Sequence, residues 1–213
     1  MNAAKDCTLQ EKLLRCAMAL ILAAGALLAS VAASPAYAAP STVDVSIGGK
    51  IPYGGFATTW MSADGNIAYC AEPSSPTPAP GSYSTSPVPS GDVTAAIWYS
   101  FGSPGFDASM FPGSWYDGGG WDDAKYAAAS HVLIAYAYSG SESAATHGTS
   151  AEFASWAKSE LIGGTFAKMK AGAGKVSAGF EAFCVRTGGG SQTLVSFSWS
   201  AGGVKVAKTD SEA

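Results

Sequence analysis

Apolar and polar residues alternate near both ends of this chain and give way to helical spacing in between, and that order constrains the fold more than any single motif. At the front, "TVDVSIG" (42–48) puts Val43, Val45 and Ile47 on one face, the period of a half-buried strand. "FATTWMSADGNIAYC" (56–70) predicts a hairpin that turns at Asp64-Gly65. At the back, "FEAFCVR" (180–186) and "QTLVSFSW" (192–199) flank Thr187-Gly-Gly-Gly-Ser191 and predict another. Phe180, Ala182 and Cys184 then share one face of the first arm, and Val195, Phe197 and Trp199 one face of the second.

Three helices are expected between these strands. Asp92 to Phe101 is capped by Ser90 or Asp92 and stopped by Gly102, and Asp122 to Tyr138 has aspartates in its first turn and Gly140 after its last. The third, from about Ser150 to Ile162, is opened by the capping box Thr149-x-x-Glu152. Pro73 to Ser90 holds too many prolines for a ladder and reads as an extended, exposed connection. Strands, then helices, then strands imply an α+β fold, with terminal strands in a sheet or sandwich-like layer and a central helical subdomain of about three helices.

Residues 1–38 read as a secretory signal peptide: Lys5, Lys12 and Arg15 precede the apolar run Ala17 to Ala33, and Ser34-Pro-Ala-Tyr-Ala38 offers a small-residue cleavage site. Residues 39–213 are then expected to form a single secreted or cell-surface domain, with no membrane span once the leader is removed. They carry nine basic against fourteen acidic residues. Nucleic acid is excluded as a partner on this balance, because binding it needs a basic patch to displace counterions.

The leader takes Cys7 and Cys16 with it, leaving Cys70 and Cys184. Two cysteines in an exported chain first suggest a disulfide, here Cys70 to Cys184, joining the front sheet segment to the last hairpin. A free buried thiol is the second reading and a catalytic cysteine the last, with His131 lowering the thiol pKa and serving as base. Against catalysis, Cys70 ends a strand and runs into proline, whereas a helix N-terminus is the usual way to hold a thiolate. His131 alone more often means a hydrogen-bonded core histidine. With only His147 beside it, a metal site lacks ligands, and no cofactor motif is present. Asp117, Asp122 and Asp123 lack the spacing of a calcium loop. The aromatic loop Phe106 to Trp121 fits a sugar or protein contact surface and core packing equally well.

Three segments in order carry a further signal: Tyr69-Cys70-Ala-Glu-Pro73 before the proline-rich loop, "AAIWYSFGSPGFD" from Ala95, and "YAAASHVLIAYAYSG" from Tyr126. Together they resemble the thioester domains of Gram-positive surface adhesins and pilus tips, over about residues 41 to 199. The resemblance implies that a cysteine thiol bonds to a glutamine side chain with loss of ammonia, storing an acyl group that a surface amine or hydroxyl opens. It makes Cys70 the reactive thiol, and Tyr69, Trp98 and His131 candidates for lining its site. In the family's second motif, T-Q-x-A-[IV]-W, histidine (His131) stands at the glutamine position of the best-matching helix, and threonine (Thr94) at that of the other. Gln192 is the only glutamine beyond the leader, so a thioester here has to join Cys70 to Gln192. The resemblance also implies a host surface protein or glycan as partner, rather than a small-molecule substrate, and a binding domain rather than an enzyme. A secreted Cys/His hydrolase or acyltransferase is the alternative. A structural pilin-like module is another, although Asn66 is the only asparagine after the leader that could accept a Lys-Asn crosslink.

Overall fold

The computed structural model describes residues 39–201 and 204–205, so the leader expected at 1–38 lies outside the described residues. The chain divides into two compact units, 1–36 and 37–213, and the first lies wholly outside the described residues.

The strands are β1 (Thr42–Tyr53), β2 (Phe56–Ala63), β3 (Asn66–Cys70), β4 (Gly81–Pro87), β5 (Phe180–Arg186), β6 (Leu194–Ala201) and the short β7 (Val204–Lys205). They run in the order β3-β2-β1-β4-β5-β6-β7, and a further pairing of β3 with β6 closes the first six into an antiparallel barrel. The α+β reading holds, and the sheet layer is a closed one. Closure removes the exposed edges that an open sheet would present. Both expected hairpins form: Asp64-Gly65 turns β2 into β3, and β5 pairs with β6 from Phe180↔Trp199 to Val185↔Leu194.

β4 corrects the reading of residues 73–90 as one open connection. The prolines at 73, 76, 78 and 80 cluster before the strand, and from Gly81 to Ser86 every residue can donate to a ladder. This segment pairs with β1 on one side and β5 on the other.

Alternation sorts the barrel side chains into two cores. Val43, Val45, Met61, Ala63, Ala68, Cys70, Phe183, Val185 and Leu194 form the inner one. Ile51, Tyr53, Tyr69, Ala182, Cys184, Val195 and Phe197 face outward onto the helices. A bulge between Ile47 and Lys50 lets β1 serve both: one extra residue there turns the parity that points Val43 and Val45 inward into one that points Ile51 and Tyr53 outward.

The helical layer comprises α1 (Gly91–Tyr99), α2 (Asp123–Ser139), the short α3 (Glu142–Ala145), α4 (Ala151–Trp156) and α5 (Ala167–Ala171), with a π-helical stretch at Ala157–Phe166 joining the last two. α2 is capped as its sequence requires: Asp122 accepts a hydrogen bond from the Lys125 amide, and Gly140 takes the left-handed conformation at φ 68°. Its middle, Ala127 to Ala135, is buried on all sides, which suits a helix clamped between barrel and neighbours. The third expected helix starts one residue later than the capping box implies, with the Ser150 hydroxyl accepting from Phe153 N–H. It runs past Ile162 through the π-helical stretch to Ala171, which keeps Leu161, Phe166 and Met169 in the core. The turn Gly54-Gly55 between β1 and β2 rests against this helix. Gly54 has φ 53°, and a Cβ there would lie 2.4 Å from the Phe153 ring, so only glycine fits.

Candidate functional site

A cleft of about 60 Å³ opens at one end of the barrel. The tip of the β1–β2 hairpin supplies Tyr53, Phe56, Ala57 and Thr58, β3 ends in it with Cys70, the proline loop adds Pro73, Ser75 and Thr77, and α2 contributes His131. Gln192, from the residues just before β6, completes it. Three residues far apart in sequence and singled out from it, Cys70, His131 and Gln192, therefore meet in one place. Nothing local in the sequence marks the hairpin tip as part of this site; for the loop the mark is the run of prolines beginning three residues after Cys70, which cannot leave in a ladder.

His131 is a positioned core histidine. Its Nδ1 accepts the Cys70 backbone N–H at 3.1 Å, and Thr58 Oγ1 lies 3.2 Å from Nε2. An acceptor role for Nδ1 puts the ring proton on Nε2 of a neutral imidazole. Burial pushes the His131 pKa down to about 3, against a smaller pull from the Thr59 backbone. The ring packs edge-on to Tyr69, with centroids 4.9 Å apart. With Nδ1 held by the amide of the cysteine, the ring fixes the Cys70 backbone instead of drawing the thiol proton.

Burial pushes the Cys70 thiol up to about 12; the Glu72 backbone pulls the other way, and the Glu72 carboxylate adds to the rise. The thiol is therefore protonated at neutral pH. Burial, together with the nearby Cys70, also raises the Tyr53 phenol. No side chain lining the cleft carries a charge at neutral pH. Such a lining offers little to stabilise a thiolate or to attract ionic ligands, and suits a neutral acyl group kept from bulk water.

The disulfide expected between Cys70 and Cys184 is absent, and both are free and buried. β6 runs between their strands: Cys70 lies opposite Leu194, and Cys184 opposite Val195. Adjacent strands are about 4.8 Å apart, so two steps put the Cα atoms roughly 10 Å apart, beyond the ~7 Å a disulfide can span. Their side chains also face opposite ways, Cys70 into the barrel and Cys184 onto the helices. Two further candidates fall outside the cleft. Tyr69 is fully buried behind His131, its hydroxyl donating to the Phe101 carbonyl. Trp98, on α1, packs edge-on against Phe180, 4.9 Å between centroids.

The aromatic loop is largely core: Phe111 and Trp115 are buried, and Trp115 contacts Phe153, Trp156 and Trp121. Among its aspartates, Asp117 accepts from Gly119 N–H at 2.8 Å and Asp122 caps α2. His147 is exposed, near Phe56.

The barrel thus ends in a buried cysteine whose cleft a glutamine and a buried histidine share. The sequence profile of the thioester domain family matches residues 42–164, more than half of the chain, and the chain belongs to that family. Cys70 and His131 fall within the matched segment, while Gln192 lies beyond it. No curated protein and no solved structure matches the chain. Among the described residues, no helix is long and apolar enough to cross a membrane.

Proposed function

We propose that this domain is exported and attaches a bacterial surface to a host or neighbouring surface through an internal thioester between Cys70 and Gln192. The observation that carries this is that both residues line the same small, uncharged cleft. In forming the bond, Cys70 Sγ joins Gln192 Cδ, the C–N bond of the carboxamide breaks, and the thiol proton leaves with the amide nitrogen as ammonia. An amine or hydroxyl on a surface protein or glycan then attacks Cδ and releases the Cys70 thiol. Each domain reacts once and does not turn over, so it is an adhesive module and not an enzyme. The alternative Cys/His hydrolase fares worse, because Nδ1 of His131 is occupied by the Cys70 amide and burial leaves the ring too weakly basic to take the thiol proton.

Intact mass of the purified protein tests the reading. Loss of one ammonia from the unsubstituted chain, abolished by Cys70→Ala and by Gln192→Ala but kept in Cys184→Ala, is expected. An unsubstituted chain with its full mass would sink the proposal.

A further inference from the structure

If Cys70 and Gln192 are to react, something has to hold a glutamine just ahead of β6 against a cysteine at the end of β3, and the hydrogen bonds around Gln192 indicate what does so. The Gln192 amide donates to the Pro76 carbonyl at 3.0 Å. One residue on, the Thr193 amide donates to Glu72 Oε2 at 2.8 Å, and the Thr193 carbonyl accepts from the Ala71 amide at 2.9 Å. All three partners belong to the segment directly after Cys70. That segment is stiffened by its prolines and by a turn in which Ser75 N–H donates to the Glu72 carbonyl at 2.9 Å. Glu72 is the only side chain of the three: the other two bonds are backbone to backbone.

Building on the thioester reading, we infer that Glu72 is a positioning residue for bond formation: its carboxylate clamps the start of β6 so that the Gln192 carboxamide meets the Cys70 thiol. Glu72 does not line the cleft, and its carboxylate acts through the Thr193 amide. Amide attack by a thiol is slow unless the groups are held at near-attack distance, and a displacement of about 1 Å can cost a factor of about 100. A side-chain acceptor at Glu72 supplies that restraint where the ladder between β3 and β6 runs out, since their pairing covers only Tyr69↔Val195 and Cys70↔Leu194.

The test follows closure of the bond directly. Purified protein is opened with ammonia at mildly alkaline pH, which attacks Gln192 Cδ and restores the carboxamide and the free Cys70 thiol. It is then desalted, and the return of the thioester is timed by intact mass, with thermal midpoints recorded alongside. Glu72→Ala is expected to slow closure by at least about tenfold. Glu72→Gln, which keeps an acceptor oxygen at the same reach without the charge, is expected to recover most of the rate. Glu72→Asp, which keeps the charge but withdraws the oxygen by one methylene, is expected to remain slow. A Glu72→Ala variant that closes as fast as the unsubstituted protein overturns the clamp and leaves the thioester reading intact. A Glu72→Gln variant as slow as Glu72→Ala overturns it too, since charge and not the hydrogen bond would then be at work. If the unsubstituted protein never loses ammonia, the thioester reading itself falls and takes the clamp with it. Should Glu72→Ala fail to fold, the order of Glu72→Gln over Glu72→Asp decides alone.

Discussion

The two cysteines of the domain are almost equally buried, both 3 % exposed, and sit on strands separated only by β6, yet their surroundings differ in kind. Cys70 ends its strand at the barrel mouth, where its amide is held by His131 and a glutamine shares its cleft. Cys184 sits mid-strand on the outer face, opposite Val195 and among the apolar residues that meet the helices. Burial raises both thiols, Cys184 to about 11. Low acidity therefore does not distinguish the two cysteines. What separates them is a polar framework around a small opening, present at Cys70 and missing at Cys184.

The largest effect expected from this contrast is all-or-none. Substituting Gln192 by Ala leaves Cys70 no acyl partner, so one thiol per chain should become open to a small alkylating reagent in the native state, mapped by peptide mass to Cys70. Cys184 should stay unmodified until the protein is unfolded. Labelling of Cys70 should be slow at pH 7 and speed up with pH, because only the thiolate reacts and a raised pKa leaves little of it at neutral pH. Native labelling of Cys184 at the rate of Cys70 would erase the distinction.

His131 sharpens the same contrast from the backbone side. Its Ala variant empties a buried ring position and leaves the Cys70 amide without its acceptor, for an expected loss of about 3 kcal/mol in denaturant unfolding. The pH dependence has a definite sign. A folded pKa near 3 lies below the ~6.5 of the unfolded chain, so the unfolded state takes up a proton that the folded state refuses. The stability contributed by the neutral ring is fully present above about pH 6.5 and falls by up to about 1.4 kcal/mol per pH unit as pH drops toward 3. His131→Gln, which retains an acceptor but cannot titrate, should flatten the part of the pH profile between pH 4 and 6. An unchanged slope would mean that other groups dominate acid unfolding.

How far the sequence discloses this arrangement depends on which interactions are local. Hairpins, the ends of α1 and α2, and the two-faced alternation of β5 and β6 are legible because turn residues, caps and period act over a few positions. Closure of the barrel is not legible. The pairing of β3 with β6 joins residues far apart in the chain, and neither strand alone shows which neighbour it takes. β4 is hidden by the prolines before it, although the strand itself has none between Gly81 and Ser86. Of the site, Cys70, His131 and Gln192 can be singled out by type and scarcity. Their meeting, the Glu72 bond to Thr193, and the turn of Cys184 away from Cys70 all depend on register. A shift of one residue in β5 would have put Cys184 on the face of Cys70.

That dependence on register sets the smallest and most specific prediction, at Cys184 itself. If Cys184 is only packing, Cys184→Ala should cost about 1 to 2 kcal/mol, the loss of one buried sulfur plus an incompletely collapsed cavity beside Val195 and Phe197. Cys184→Val adds a methyl to a pairing already flanked by β-branched residues and should cost less than about 1 kcal/mol. Neither change should alter the ammonia loss assigned to Cys70 or the native labelling of Cys70 in the Gln192→Ala background, because β6 and its opposite-facing side chains separate the two sulfurs. Denaturant midpoints and intact masses read both quantities on the same samples. A Cys184 variant that keeps its stability but loses the thioester would mean that the outer face communicates with the barrel mouth through β6. The contrast between a packed cysteine and a positioned one would then have to be redrawn as a coupled pair.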